Sequence, residues 1–354
     1  MNRKDLFTNI PISNNSRNKC LFIITNYSEP LMTYLYSRTS MSNYVPTHYR
    51  THTLGEIQAN GADLIDREVT VAGFMEANRG KGAICFVDLR DGTGKTQIFL
   101  KAENIGEESL DMVQRMTRES TLQFTGKVSE KRPPKLKEGE IPPPPAYEVI
   151  AESVVVIAKA EAPLPLGVTD TVNVELDTRL DNRFLDLRRA HIAAMFRLRG
   201  KILQYGREAL INEGFFETHT PKIVATATEG GTDLFPMQYF DTPAFLNQSP
   251  QLFKQLCMSG GLERVFEIGP AFRAEKHDTY RHLNEFISFD IECSWATDDD
   301  VMGVLERMIH HMWQSVANDE DSKSYIATIN EYRASKGEEP VEVIVPELPF
   351  PRVS

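Results

Sequence analysis

The sequence predicts an α+β chain of two domains: a small five-strand Greek-key barrel, then an antiparallel sheet backed by helices. Three observations carry this. The 354 residues exceed one typical domain. From about 52 to 160 the chain is a series of short β-branched runs separated by turn signals. Beyond 190, helical periods alternate with two strands whose apolar and polar residues take turns.

Composition narrows the class. Apolar residues are 41% and charged residues 25%, as in a water-soluble globular protein. No apolar run approaches the roughly 18 residues a membrane span needs. Cys20, Cys85, Cys257 and Cys293 lie far apart without a CxxC. A disulfide framework or zinc knuckle is therefore not expected, and a reducing compartment, the cytoplasm, is. The histidines form no HExxH; His48 and His52 sit in a polar stretch with no partner cysteine. The net charge of −11 argues against broad non-specific nucleic-acid binding but leaves room for a local site. The one dense basic run, "KVSEKRPPKLK" (127–137), reads equally as a solvated loop or an RNA-facing one.

Residues 1–46 are Asn/Ser-rich around a short apolar patch, "CLFII", and read as a disordered extension. Barrel strands follow in "REVTVAGFM", "AICFVDLRD", "TQIFL", "STLQFTGKV" and "YEVIAESVVVIA". "DGTGK" supplies a hairpin turn, and one helix, "EESLDMVQRM", falls between the third and fourth strands. Five strands with a helix in that place suit an OB-fold barrel over 47–160. In "AICFVDLR", Cys85, Val87 and Leu89 alternate with Phe86, Asp88 and Arg90, which leaves an aromatic on the polar face. Gln97 on the next strand falls near it. A lone outward aromatic is commonly plain surface; on such a barrel it is also how a base is stacked. Pattern alone carries both readings.

"EGEIPPPPAYE" is a polyproline loop inside the barrel, and "AEAPLPLG" marks a hinge. Residues 161–190, including "LDTRLDNRFLDLRRA", read as hinge and linker. A helix is predicted from about Ala190 to Asn212, with Ile192, Met195, Phe196, Ile202, Leu203, Ala209 and Leu210 as its apolar stripe. "EGFFETHTP" then gives Gly214, a strand and Pro221.

The most informative stretch is "FRAEKHDTYRHLNEF" (272–286), dense in charge between two strand patterns. On the way in, Phe266, Ile268, Pro270, Phe272 and Ala274 alternate with Glu267, Gly269, Ala271, Arg273 and Glu275. On the way out, Ile287, Phe289, Ile291 and Cys293 alternate with Phe286, Ser288, Asp290 and Glu292. The hairpin thus has an apolar back and a front carrying Arg273, Glu275, Phe286, Asp290 and Glu292. Gly269 and Ala271 are expected to leave open floor beside Arg273. An Arg beside an aromatic suits a nucleotide, phosphate on guanidinium and base on ring. Two loops add to this. "ATATEGGTDLFP" holds Glu229 between small residues, and "NQSPQLFKQ" holds Ser249, Gln251 and Lys254. An acid and an amide suit an ammonium, and a Lys suits a carboxylate: an amino acid with an acidic side chain.

The order of helix, strand and Pro221, then "EGGT", "SPQLFKQ" and "FRAEKHDTYRHLNEF", resembles motifs 1 and 2 of the class II aminoacyl-tRNA synthetases, and within them the aspartyl enzymes of archaeal and eukaryotic type. "LDTRLDNRFLDLRR" is similar to that family's linker. The resemblance covers about 50–320 and resumes at "LPFPRVS". It implies a class II antiparallel-sheet catalytic domain over 191–354 and a homodimer through motif 1. It also implies an OB-fold domain that reads the anticodon, and no membrane. The partners implied are L-aspartate, ATP and tRNA(Asp), with Mg²⁺.

The resemblance also implies roles. Arg273 is catalytic, binding the α-phosphate and the aspartate α-carboxylate. Ala274, Glu275, Arg281, His282, Leu283 and Phe286 complete the ATP site. Glu229, Ser249, Gln251 and Asp290 hold the aspartate, with Lys254 on its β-carboxylate. Phe86, Gln97 and Glu148 read the anticodon. Asparaginyl enzymes are similar here but usually lack the Lys at position 254, so an asparaginyl or other ligase of the subgroup is the first alternative. A catalytically inactive tRNA-binding remnant is the second. No GxGxxR-like stretch occurs in the 354 residues. Motif 3 and the acids for Mg²⁺ are therefore expected beyond residue 354; the catalytic domain is expected to be incomplete and the chain to be a fragment with impaired catalysis.

Overall fold

The computed structural model describes residues 46–133, 143–169, 172–228, 230, 233–276, 279 and 282–352. Nearly all of the expected N-terminal extension lies outside these residues, as do much of the polyproline loop, Glu229 and Arg281. The chain divides at Leu164/Pro165 into two compact units.

The first unit opens with two short helices that the strand pattern did not foretell, α1 (Leu54–Ala59) and α2 (Gly61–Leu64). Thr53 starts α1 with a capping box: its hydroxyl accepts from Glu56 N at 3.2 Å, and Glu56 accepts from Thr53 N at 2.8 Å. Five strands follow: β1 (Glu68–Lys81), β2 (Ile84–Arg90), β3 (Lys95–Lys101), β4 (Thr121–Glu130) and β5 (Tyr147–Ala158). They close into a barrel in the order β1-β2-β3-β5-β4. Helices α3 (Ala102–Ile105) and α4 (Glu107–Gln114) lie between β3 and β4. Alternate residues fill the interior, among them Val69, Val71, Cys85, Val87, Leu89, Ile98, Leu100, Leu122, Phe124 and Val149. The β2–β3 turn is held by Asp91, whose Oδ1 accepts from Thr93 N at 2.7 Å and Gly94 N at 3.1 Å. Gly126 permits the closest strand approach; a Cβ there would stand 2.0 Å from Ile150 O.

The second unit begins with α5 (Leu176–Asp181) and α6 (Arg183–Asp186), in the segment read as linker. Both are organised around Asp186, which is fully buried. Arg179 reaches it at 2.9 Å and Arg183 at 2.6 Å, with Arg189 at 3.9 Å. A buried carboxylate without such partners would cost several kcal/mol. Next come α7 (Ala190–Asn212), β6 (Phe216–Glu217), β7 (Ile223–Val224), β8 (Pro236–Tyr239) and β9 (Thr242–Leu246). Then follow α8 (Gln251–Ser259), β10 (Arg264–Phe272), β11 (Glu285–Cys293), α9 (Asp298–Asn318) and α10 (Glu320–Ser335).

β10 is the middle of a three-strand sheet, antiparallel to β11 and parallel to β6; β7, β9 and β8 form a second small sheet. The back of the first sheet is apolar. Phe266, Ile268, Phe289, Ile291 and Cys293 pack on Ala209 and Leu210 of α7 and on Val304, Met308 and Met312 of α9. Gly206 lets α7 approach, since a Cβ there would lie 2.5 Å from Phe289 Cε1. The stripe expected for α7 needs correction. Ile192, Ala209 and Leu210 are buried, but so are Tyr205 and Gly206, while Met195 and Phe196 are exposed. α10 shares α7 with the sheet: Lys201 of α7 pairs with Asp319 at 3.2 Å and Asp321 at 3.0 Å.

Candidate functional site

The β10–β11 register settles which side chains share the front. Val265 stands opposite Glu292, Glu267 opposite Asp290, Gly269 opposite Ser288, and Ala271 opposite Phe286. The expected front face therefore exists. Its floor differs from expectation, because Gly269 and Ala271 are buried rather than open. Glu267 fills the space: a Cβ on Gly269 would meet its Oε1 at 2.8 Å.

At the lower end of this front the charges pair off. Glu267, 1% exposed, accepts from Thr220 Oγ1 at 2.7 Å and forms an ion pair with Lys222. Lys254, projecting from α8, is 2% exposed. Its ammonium lies 3.3 Å from Asp290 Oδ1, 3.4 Å from Glu292 Oε2 and 3.2 Å from the Ile291 carbonyl. Gln251 Nε2 donates to the same Glu292 Oε2 at 3.1 Å. One ammonium thus faces two carboxylates, and this corner carries an excess of one negative charge. A positive group on a ligand would complete it. Ser249, also buried, accepts from Gln251 N at 3.3 Å through its hydroxyl, which fixes the start of α8.

At the upper end, the Arg273 guanidinium lies over the Phe286 ring, 5.5 Å from its centre. Asn284 pins both sides of the connecting loop, donating to Arg273 O at 2.8 Å and Glu275 O at 2.9 Å. Ala274 N donates to Asp233 O at 3.0 Å, and Ser249 N to Thr228 Oγ1 at 3.4 Å. Backbone and hydroxyl contacts thus tether the flanks of the Glu229 loop to the site. Leu283 and His282 are exposed on the loop beyond. Of the residues singled out in the sequence, Ser249, Gln251, Lys254, Arg273, Phe286 and Asp290 come together on or beside one sheet face. Glu292 is the partner of Lys254 that the sequence placed on the front without a role. Lys222 was not foreseen at all.

The first unit carries a second set on the outer barrel face. Arg79, Phe86 and Phe99 form one row across β1, β2 and β3, and Ala77, Asp88, Gln97 and Glu148 the next. Phe86 and Phe99 are stacked, with ring centres 4.8 Å apart and planes 9° from parallel. Gln97 Nε2 donates to Glu148 Oε2 at 3.2 Å. Burial pushes the Glu148 carboxyl above its ordinary value, while the charges of Lys131 and Arg132 pull against it. Arg79 is anchored to Asp88 at 2.9 Å. Phe86, Gln97 and Glu148 therefore share one face. Phe99 was missed, although "TQIFL" puts it two residues from Gln97 on the same side.

Both units have counterparts among known proteins. Residues 69–157 match the OB-fold nucleic acid binding domain, and residues 175–354 match the class II tRNA synthetases (D, K and N). The chain is 47% identical over 304 residues to an aspartate–tRNA(Asp/Asn) ligase of Methanococcoides burtonii, covering 86% of this chain and 63% of that protein. It is 48% identical over 251 residues to an aspartate–tRNA(Asp) ligase of Picrophilus torridus, covering 71% and 57%. Among solved structures, the aspartyl-tRNA synthetase of Entamoeba histolytica superposes with a TM-score of 0.66 at 28% identity, over 83% of this chain and 61% of that one. The asparaginyl-tRNA synthetase of Pyrococcus horikoshii with asparaginyl-adenylate gives 0.65 at 30% identity, over 78% and 61%. The chain therefore spans less than two thirds of the length of each of these relatives. With its matched domain covering just over half of its length and a front face of paired charges behind Arg273 and Phe286, the chain belongs to the class II tRNA synthetases of the aspartate, lysine and asparagine group.

Proposed function

We propose that the protein acts as an aspartate–tRNA ligase, activating L-aspartate with ATP and transferring it to the 3′ end of tRNA(Asp). The observation that carries this is Lys254, almost fully buried and held between Asp290 and Glu292 at the start of α8. A buried ammonium beside an excess of carboxylate suits a ligand that brings both an ammonium and an acidic side chain. A neutral amide side chain has no use for the lysine, whereas a carboxylate buried without it would lose several kcal/mol. The names of the relatives support aspartate, and for some of them tRNA(Asn) as well.

The chemistry asks little of acid–base groups. The α-carboxylate, with a reference pKa of about 3.5, is already a nucleophile at neutral pH. Its attack on the α-phosphorus of ATP expels pyrophosphate. Catalysis is then alignment and charge neutralisation, which Arg273 supplies at the α-phosphate. Phe286 stacks on the adenine and Glu275 approaches its amino group. Gln251 and Asp290 hold the substrate ammonium together with Glu229, and Lys254 turns to the β-carboxylate. His282, Leu283 and Arg281 act on the triphosphate and the acceptor end. The terminal ribose hydroxyl of the tRNA next attacks the mixed anhydride and releases AMP. Mg²⁺ is the family's usual companion of ATP. Among the described residues no three metal-ligating side chains gather, so no step is assigned to a metal here.

Two further readings accompany this. The outer barrel face with Phe86, Gln97 and Glu148 reads the anticodon. The exposed apolar side chains Phe184 (62%), Met195 (46%) and Phe196 (44%) beside motif 1 form a homodimer contact. Aspartate-dependent exchange of pyrophosphate into ATP tests the main reading, with asparagine and lysine as controls. In a protein whose class II domain is complete through motif 3, exchange with aspartate well above both is expected; equal exchange with asparagine there would overturn the reading.

A further inference from the structure

The ladder between β10 and β11 ends with Phe272 opposite Glu285. Arg273 and Glu275 lie past that last rung, and Asn284 holds them there. Its backbone carbonyl accepts from Arg273 N at 2.9 Å. Its side-chain Nδ2 donates to Arg273 O at 2.8 Å and to Glu275 O at 2.9 Å. Both partners are carbonyls, which only accept, so the amide has to present its NH₂ group, with one hydrogen for each. In an extended chain, carbonyls two residues apart point to one edge and the matching side chains to one face. A single amide on both carbonyls therefore fixes the spacing that puts Arg273 and Glu275 on the same front. The N–H between them points the other way, and Ala274 N donates to Asp233 O at 3.0 Å. The strip 273–275 is thus held along both edges, and the Arg273 guanidinium rests over Phe286 at 5.5 Å. Asn284 is itself exposed. A hydrogen bond open to water adds little to stability, so what depends on this one is placement.

We infer that Asn284 is a positioning residue for the nucleotide. It carries the order of the sheet one rung into the loop and holds Arg273 and Glu275 where they meet the α-phosphate and the adenine. This rests on reading the front as an ATP site. An arginine side chain is long, so a small turn of its backbone displaces the guanidinium by ångströms. Fixing that backbone before ATP arrives lowers the ordering cost of binding. It also keeps the cation where charge grows on the α-phosphate.

The test is NMR of the full chain carrying isotope-labelled arginine, with ATP as the titrant. The Arg273 Nε–H resonance, assigned by its loss in Arg273→Lys, should lie upfield through the ring current of Phe286. Phe286→Leu should return it to the ordinary arginine position. Asn284→Ala, and the isosteric Asn284→Asp, which loses both donors, should return it most of the way. Asn284→Gln keeps the amide on a longer stem and should recover part of the shift. ATP should move the same resonance in the unmutated protein, and Asn284→Ala should need about 10-fold more ATP for half-saturation, the weight of one or two such hydrogen bonds. The Tm of the second unit should stay nearly unchanged. An Arg273 resonance that remains upfield in Asn284→Ala would overturn the positioning role. So would a lowered Tm beside an unchanged ATP titration, the mark of a purely structural bond. A resonance that answers to Asn284 but not to ATP in the unmutated chain would instead remove the nucleotide site, and the role in binding with it.

Discussion

Glu267 and Asp290 stand directly opposite one another on β10 and β11, two carboxylates in register on one sheet face, and each has its own lysine. Lys222 pairs with Glu267, and Lys254 pairs with Asp290 while also facing Glu292. Like charges in that position repel, so the face holds together only because two cations arrive from different parts of the chain. One of these pairs reads as structural and the other as substrate-binding, and substitution separates them.

Lys222→Met should behave as a stability variant. It leaves Glu267 buried with Thr220 as its one remaining donor among the described residues. Breaking a buried pair typically costs 3–5 kcal/mol. About 3 kcal/mol is expected here, because Lys222 is itself a quarter exposed. Thermal unfolding should show the transition of the second unit lowered and that of the barrel unmoved. A loss below about 0.5 kcal/mol would mean that Lys222 does not hold the buried carboxylate in place.

Lys254→Ala should behave as a specificity variant. Binding of aspartate and asparagine is compared by equilibrium dialysis in the presence of ATP. The unmutated protein is expected to prefer aspartate, and the variant to lose most of that preference, roughly 100-fold or about 3 kcal/mol. Retained preference would show that another group recognises the side-chain carboxylate.

Phe86→Ala should weaken tRNA(Asp) binding by about 1–3 kcal/mol, the cost of one base–aromatic stack. The aspartyl-adenylate formation proposed for the other unit should be unaffected. A filter-binding titration beside a pyrophosphate-exchange assay reads both.

His191 makes part of the second unit acid-sensitive. Its ring stacks on Tyr332 of α10, with centres 3.5 Å apart and planes 5° from parallel. Burial first, then the charges of Arg189 and Arg179, lower its pKa from 6.5 to about 4. The folded state therefore holds the imidazole neutral where the unfolded chain already binds a proton. Stability from this group is complete above pH 6.5, is lost as pH falls from 6.5 to about 4, and changes no further below that. Carboxylates titrate over part of the same range, so the comparison is with His191→Gln. The difference in Tm between the two proteins should shrink on acidification across that window. A His191 ring resonance titrating near 6.5 would contradict the burial.

Much of this site was legible because strands alternate. "AICFVDLR" put Phe86 outside the barrel, and the two halves of 264–293 put Arg273, Phe286, Asp290 and Glu292 on one front. Alternation depends only on the two-residue repeat of an extended backbone, so a single strand discloses its own faces. The same logic reached Phe99 in principle, since it shares a face with Gln97; its part depended on which strand lay opposite. The helix was harder. Met195 and Phe196 fit an apolar stripe yet lie exposed, whereas Tyr205 and Gly206 are buried. Periodicity gives the angle around a helix but not which neighbours press on each turn. α7 meets the sheet at Gly206, Ala209 and Leu210, and meets α10 at Lys201.

What the sequence by itself determined is the set of faces and a local turn: the strand alternation and the Asp91 turn. It also determined the family, through motifs whose order can be read along the chain. What only the tertiary structure decided is pairing at a distance. Lys222 meets Glu267 across 45 residues, Lys254 meets Asp290 across 36, and Phe86 meets Phe99 across a hairpin register. The physical reason is that a charge or a ring has no preferred partner along the chain. Its partner is whichever group the packing of apolar backs brings opposite it, and that packing is a property of the whole unit.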